Sequence, residues 1–152
     1  MSHVDIRPES PDSDAARALI GELDAFLIPL GPRESHHGYP VEKLIAHKVA
    51  FYVARCDGVP AGCGGLQECD GFAEVKRMYV RPAFRGQGLA RRILAVLEEH
   101  ARRQGLSVLR LETGAYLKEA IGLYLRSGFV EIPPFPPYRA DPWSRFFERR
   151  LE

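Results

Sequence analysis

The run Arg85-Gly86-Gln87-Gly88-Leu89-Ala90 carries residue types suited to holding a charged ligand. Gly86 and Gly88 remove side chains where the chain turns into a helix, so another group can approach the backbone N–H donors. Arg91 and Arg92 then stand at the helix beginning, where the positive end of the dipole ordinarily favours acids. Six basic residues (Lys76, Arg77, Arg81, Arg85, Arg91 and Arg92) lie between Val75 and Leu97 without one acid. Backbone donors, a helix N-terminus and clustered cations together describe a cradle for a polyanion such as a phosphate group. The bland alternative is a surface helix with solvated arginines and a tight glycine turn. Neither common nucleotide template fits, since the dinucleotide pattern needs a third glycine at position 91 and a P-loop needs Gly-Lys-Ser/Thr.

The elements that must position this turn follow from periodicity. Val4 to Arg7 suits a short strand. Pro11-Asp12-Ser13-Asp14 offers helix-starting chemistry before a face of Ala15, Leu19, Leu23 and Phe26, and Pro29, Gly31 and Pro32 end that helix. A polar loop through His36, His37, Gly38 and Tyr39 follows, and Pro40 begins a short helix over Val41 to Ala46. Lys48 to Cys56 and Val59 to Glu68 read as strands joined by an Asp57-Gly58 hairpin turn, and a turn near Asp70-Gly71 leads to a third strand, Phe72 to Val80. After the basic turn, Leu89, Ile93, Leu97 and Ala101 mark the buried face of a helix ending near Gly105. Val108 to Glu112 is a strand, Glu119 to Ser127 a helix closed by Gly128, and Phe129 to Ile132 a further strand. Pro133 to Tyr138 is too proline-rich for a central strand and makes a stiff loop before Arg145 to Leu151.

Composition sets the frame. With 152 residues and 45% hydrophobic content, the chain is expected to form a single domain over 1–152. Its net charge of +1 makes the basic cluster local, so neither nucleic acid nor membrane is an expected partner. No apolar run approaches the roughly 18 residues of a membrane span, and MSHVDIRPES lacks the regions of a signal peptide, so a cytoplasmic protein is expected. Cys56, Cys63 and Cys69 have irregular spacing and no Cys/His ligand pattern, which points to reduced thiols and no metal.

At these residues the chain resembles the GCN5-related N-acetyltransferase superfamily. The family's acyl-CoA signature of Arg or Gln, two residues, Gly, one residue, then Gly or Ala is met by Arg85, Gly88 and Ala90, directly after a strand ending at Val80. A second signature is met by Ala120, Tyr124 and Gly128-Phe129. KRMYV, LETG and PFPPYRADPWS also look like a bacterial subgroup of small-molecule acetyltransferases. The resemblance implies a mixed α/β fold: a mainly antiparallel central sheet of about seven strands, with a V-shaped split, flanked by helices. It implies acetyl-CoA as co-substrate, with its pantetheine arm between the strand ending at Val80 and the strand Val108 to Glu112. Main-chain groups of Met78, Tyr79 and Val80 would hold that arm, and Arg85, Gly86, Gln87, Gly88, Leu89, Ala90 and Arg91 the pyrophosphate. Many members carry an Asn early in the penultimate helix; here the comparable region reads Ala115-Tyr116-Leu117-Lys118.

Transfer to an amine needs the free base, and a primary ammonium of pKa near 10.4 lies about 4 to 5 kcal/mol from it at neutral pH. Glu74 is the first choice of base, since Phe72-Ala73-Glu74 matches the family's Phe-Ala-Glu; its alternative is a strand carboxylate paired with Lys76. Glu112 is the reserve, and His36 or His37 a further option. The resemblance makes Tyr124 the acid for the departing sulfur, in a direct transfer through a ternary complex. His36, His37, Tyr39 and Tyr138 lie on loops that can close over an acceptor, and Lys76 can pair with a carboxylate on it, which suits an amino-acid-like small molecule. A homodimer is left open, with the Phe146-Phe147 strand as the surface that would pair or pack. Two other functions fit the same residues: a non-catalytic acyl-CoA sensor, or an acetyltransferase for protein N-termini or lysines.

Overall fold

The computed structural model describes residues 3–30 and 39–151; His36 and His37 lie outside them. In chain order the elements are β1 (Val4–Pro8), α1 (Asp14–Leu27), α2 (Val41–Ala46), β2 (Ala50–Cys56), β3 (Val59–Glu68), β4 (Ala73–Val80), α3 (Leu89–Arg103), β5 (Val108–Gly114), α4 (Lys118–Arg126), β6 (Val130–Ile132) and β7 (Ser144–Arg150). They build one seven-stranded sheet in the order β1-β2-β3-β4-β5-β7-β6. Every neighbouring pair is antiparallel except β4 and β5. The mixed α/β class and the mainly antiparallel sheet are therefore as expected, and β1 adds a fourth antiparallel strand ahead of the basic turn.

Local chemistry explains these elements. Asp57 and Gly58 both have positive φ (50° and 83°), the geometry of a two-residue hairpin turn whose twist matches its strands. The Ser13 Oγ accepts the Ala16 N–H at 3.1 Å and starts α1. The face that α1 buries is Ala16, Leu19, Ile20 and Leu23. Phe26, expected on it, is 47% exposed, because the contact with the sheet centres on Leu19 and Leu23, with Glu22 and Asp24 flanking it as partners of basic residues on β4 and at its end.

One feature of β4 was not visible in the sequence. Its register against β3 slips between Cys63 and Gly65, and Arg77 takes a φ of 57°, so β4 holds an extra residue there. The bulge reverses side-chain alternation. Glu74 and Lys76 precede it and Arg77, Tyr79 and Arg81 follow it, yet all five reach toward the α1 and α2 side. Met78 and Val80 instead pack with α3.

α3 lies close on the sheet because β3 presents glycines beneath it. A Cβ at Gly62 would come within 2.8 Å of the Tyr79 carbonyl oxygen and 3.1 Å of Ile93 Cδ1. The Gly62→Ala variant is expected to lose about 1–3 kcal/mol through backbone displacement, read from the midpoint of urea unfolding.

The Phe146-Phe147 strand does not offer an interface. β7 lies between β5 and β6, and both phenylalanines are buried within the chain. The exposed edges of the sheet are β1 and β6. Among the described residues no helix is long and apolar enough to cross a membrane.

Candidate active site

The parallel pairing of β4 and β5 is brief: Ala73 faces Leu109 and Glu74 faces Arg110, and no further pairs form. Beyond Glu74 the strands diverge, leaving the β5-facing edge of β4 unpaired and a cleft of about 440 Å³ between them. Lys76, Arg77 and Met78 line it from β4, Glu112 and Thr113 from β5, and Tyr124 from α4. A second, larger chamber of about 1050 Å³ opens on the α2 side, walled by Phe72, Glu74, Cys69, Arg110 and the loop from Pro136 to Asp141. Tyr39, Lys76 and Tyr138 line both spaces and form the partition between them.

The two carboxylates proposed as bases occupy different surroundings. Glu74 is buried and already satisfied: its Oε2 accepts the Tyr138 hydroxyl at 2.5 Å and lies 3.2 Å from Lys76 Nζ. Lys76 in turn donates to the Tyr138 oxygen at 3.2 Å, with its Nζ 3.9 Å from the centre of the Tyr39 ring. Glu112 faces the cleft, and its Oε2 accepts one hydrogen bond, from Ser144 Oγ at 2.8 Å. Burial pushes the Glu112 pKa up from 4.5 to about 7, the Ser144 bond opposing the rise and the charge of Glu74 adding to it. Ser144 was not legible as a site residue, because only the β5–β7 register, which sets Gly114 opposite Ser144, brings it to Glu112.

Tyr124 reaches the cleft from α4 and packs edge-on against Phe129 at 5.6 Å between ring centres. Burial, with the charge of Glu112 second, raises its pKa well above the usual phenol value, so the hydroxyl keeps its proton at any working pH. The loop from Ala115 to Leu117 carries Tyr116, whose hydroxyl donates to the Leu30 carbonyl at 3.4 Å, where the family's Asn would stand.

The basic cluster divides into parts. Arg77 pairs with Asp24, and Arg81 binds Glu22 in a fork with contacts of 3.0 and 2.8 Å. These two tie β4 and the residue that follows it to α1 and are not part of an anion cradle. Arg85 folds back, its Nε donating to the Val80 carbonyl at 2.8 Å. The side chain of Tyr79 points to α1, where its hydroxyl donates to Glu22 at 3.2 Å, and Tyr79 is not among the residues that line the cleft. What remains of the cradle is the turn itself. Gly86 and Gly88 have φ of 79° and 75°, a Cβ at either would meet nothing within 4 Å, and among the described residues no side-chain cap is found at the start of α3. Gln87, Arg91 and Arg92 are exposed, Ala90 is half-buried, and Leu89 is buried in the core with only its backbone on that side. Residues 85–91 line neither cavity and lie past the end of β4.

Cys56 and Cys63 are buried free thiols, and burial pushes the Cys63 pKa up to about 12. Cys69 is half-buried on the chamber wall, its pKa also raised by burial, so both stay protonated thiols and poor nucleophiles.

A split mixed sheet, a helix starting behind a double glycine turn, and Glu112 and Tyr124 both lining the split together suit an acyltransferase. The Acetyltransferase (GNAT) family profile matches residues 20–129. The chain belongs to that family, and its enzyme class is N-acetyltransferase. It is 44% identical over 153 residues to a protein of Azospirillum brasilense named IAA acetyltransferase, covering 99% of this chain and 100% of that one. A crystal structure from Klebsiella pneumoniae described as a proposed acyl-CoA N-acyltransferase is 36% identical, with a TM-score of 0.83 and coverage of 98% of both chains. At 18% identity, the PaiA N-acetyltransferase of Thermoplasma acidophilum, solved with coenzyme A, shares the fold with a TM-score of 0.77, over 98% of this chain and 99% of that one.

Proposed function

We propose that the chain transfers an acetyl group from acetyl-CoA to the primary amine of a small, amino-acid-like acceptor, by direct attack in a ternary complex. The carrying observation is the placement of Glu112 and Tyr124 in a cleft that meets the chamber at Tyr39, Lys76 and Tyr138. The unpaired edge of β4 beyond Glu74 offers main-chain groups to a pantetheine amide, as a strand edge takes an added strand. The turn from Gly86 to Ala90 offers N–H groups at an uncapped helix start to a pyrophosphate. Acetyl-CoA supplies the thioester.

The acceptor amine enters from the chamber and passes the partition. Glu112, with its pKa near neutrality, accepts the amine proton, whereas the Glu74 carboxylate is already engaged by Lys76 and Tyr138. Glu74 accordingly becomes a positioning residue that fixes Lys76 and Tyr138. Tyr124 donates a hydrogen bond, then a proton, to the departing sulfur.

CoA release should be followed with acetyl-CoA and a panel of small amines, amino acids and peptides. Turnover is expected with a subset of amines that carry an acid group. Tight acetyl-CoA binding with no turnover of any amine or peptide would leave a sensor instead. At the turn, Gly88→Ala forces a side chain into left-handed geometry and adds a methyl to the cradle. It is expected to cost about 1 kcal/mol of stability and to weaken acetyl-CoA binding in calorimetry.

A further inference from the structure

Of the four lysines in the chain (Lys43, Lys48, Lys76 and Lys118), Lys76 alone lines both the cleft and the chamber. Its side chain is 10% exposed, so this amine belongs to the site and not to the bulk surface. An acceptor amine moving from chamber to cleft must pass the place where a primary amine of the protein already stands. What restrains that amine is its cage. Glu74, 5% exposed, sits 3.2 Å from Nζ; the Tyr138 oxygen lies at 3.2 Å; and the Tyr39 ring face is 3.9 Å away. The ion pair with Glu74, the bond to the Tyr138 oxygen and the contact with the Tyr39 ring hold the Lys76 nitrogen in place, and that hold must be broken before the nitrogen can attack a thioester.

We infer that Lys76 is a self-acetylation site, held in check by the Glu74 carboxylate and the Tyr138 hydroxyl; the inference rests on the acetyl-CoA-dependent reading above. When the chamber holds no acceptor, the Lys76 nitrogen forms a bond to the acetyl carbonyl carbon and the carbon–sulfur bond breaks. Two protons leave the nitrogen. One ends on the CoA sulfur and the other passes to solvent by way of Glu112, so ammonium and thioester become a neutral amide, a thiol and one free proton. The amide removes the ion partner of Glu74 and adds bulk at the partition, which closes the route from chamber to cleft. An accepted amine competes for the same thioester and protects Lys76.

The full chain is incubated with acetyl-CoA and no acceptor, then examined by intact mass and peptide mapping. Wild type is expected to gain one acetyl group slowly, on Lys76, and more slowly still when a good acceptor amine is added. Glu74→Gln and Tyr138→Phe are expected to acquire it several-fold faster, and Lys76→Arg not at all. Tyr138→Phe keeps the ion pair, so it reports even where Glu74→Gln fails to fold. A protein that binds acetyl-CoA and turns over an amine, yet leaves Lys76 unmodified in wild type and variants, overturns the inference alone. So does acetylation of Lys43, Lys48 and Lys118 at the same rate as Lys76. Failure to bind acetyl-CoA overturns the inference together with the reading beneath it.

Discussion

Replacing Glu112 with Gln is expected to lower kcat by about 10²–10⁴-fold while making the fold more stable above pH 7. Burial lifts the Glu112 pKa from 4.5 to about 7, so between those values the folded chain holds a proton that the unfolded chain has released. Stability therefore falls as pH rises through that window, and the loss is complete above it. At about 1.4 kcal/mol per pH unit the loss amounts to about 3 kcal/mol, an order-of-magnitude figure. An amide of the same shape keeps an oxygen for the Ser144 hydroxyl and carries no charge to desolvate. Urea unfolding at pH 5 and pH 8 should show a downward step with rising pH in wild type that is lost in Glu112→Gln. Loss of rate joined to gain of stability is the mark of a group kept for chemistry.

Tyr124→Phe is expected to lower kcat by about 10²–10³-fold with acetyl-CoA affinity unchanged. The ring stays, so its edge-on packing against Phe129 and its burial in the core survive, and stability should move by less than about 1 kcal/mol. Steady-state kinetics beside calorimetry separates the roles. A tyrosine needed only for packing would leave kcat untouched in this variant, because the phenylalanine ring fills the same space.

Much of the fold was legible because its signals are local. Asp57-Gly58 must turn with positive φ, Ser13 can cap the helix it precedes, and Leu89, Ile93, Leu97 and Ala101 repeat at helical spacing; each stands where periodicity put it. The glycine turn was legible for the same reason, whereas Tyr124 stood out through the resemblance to the family's second signature. What escaped depends on strand register and on pairing between distant elements. The extra residue in β4 turns Arg77, Tyr79 and Arg81 toward α1, and alternation along a regular strand gives no sign of it. That misread an α1–β4 tie as part of an anion site. The environment of Glu112 needs the β5–β7 register to bring Ser144 alongside. The capture of Glu74 needs the proline-rich loop to fold back and present Tyr138 across 64 residues of sequence. Phe146-Phe147 looked like an interface because nothing local says that β6 will cover the outer edge of β7.

The assignment of the base is tested most directly by the pH dependence of kcat/KM for wild type, Glu112→Gln and Glu74→Gln with one accepted amine. With Glu112 as the proton acceptor, wild-type kcat/KM should fall below an apparent pKa near 7, the value set by burial of Glu112. That limb should persist in Glu74→Gln and vanish in Glu112→Gln. A limb that survives in Glu112→Gln and disappears in Glu74→Gln would contradict the assignment and return the role to Glu74.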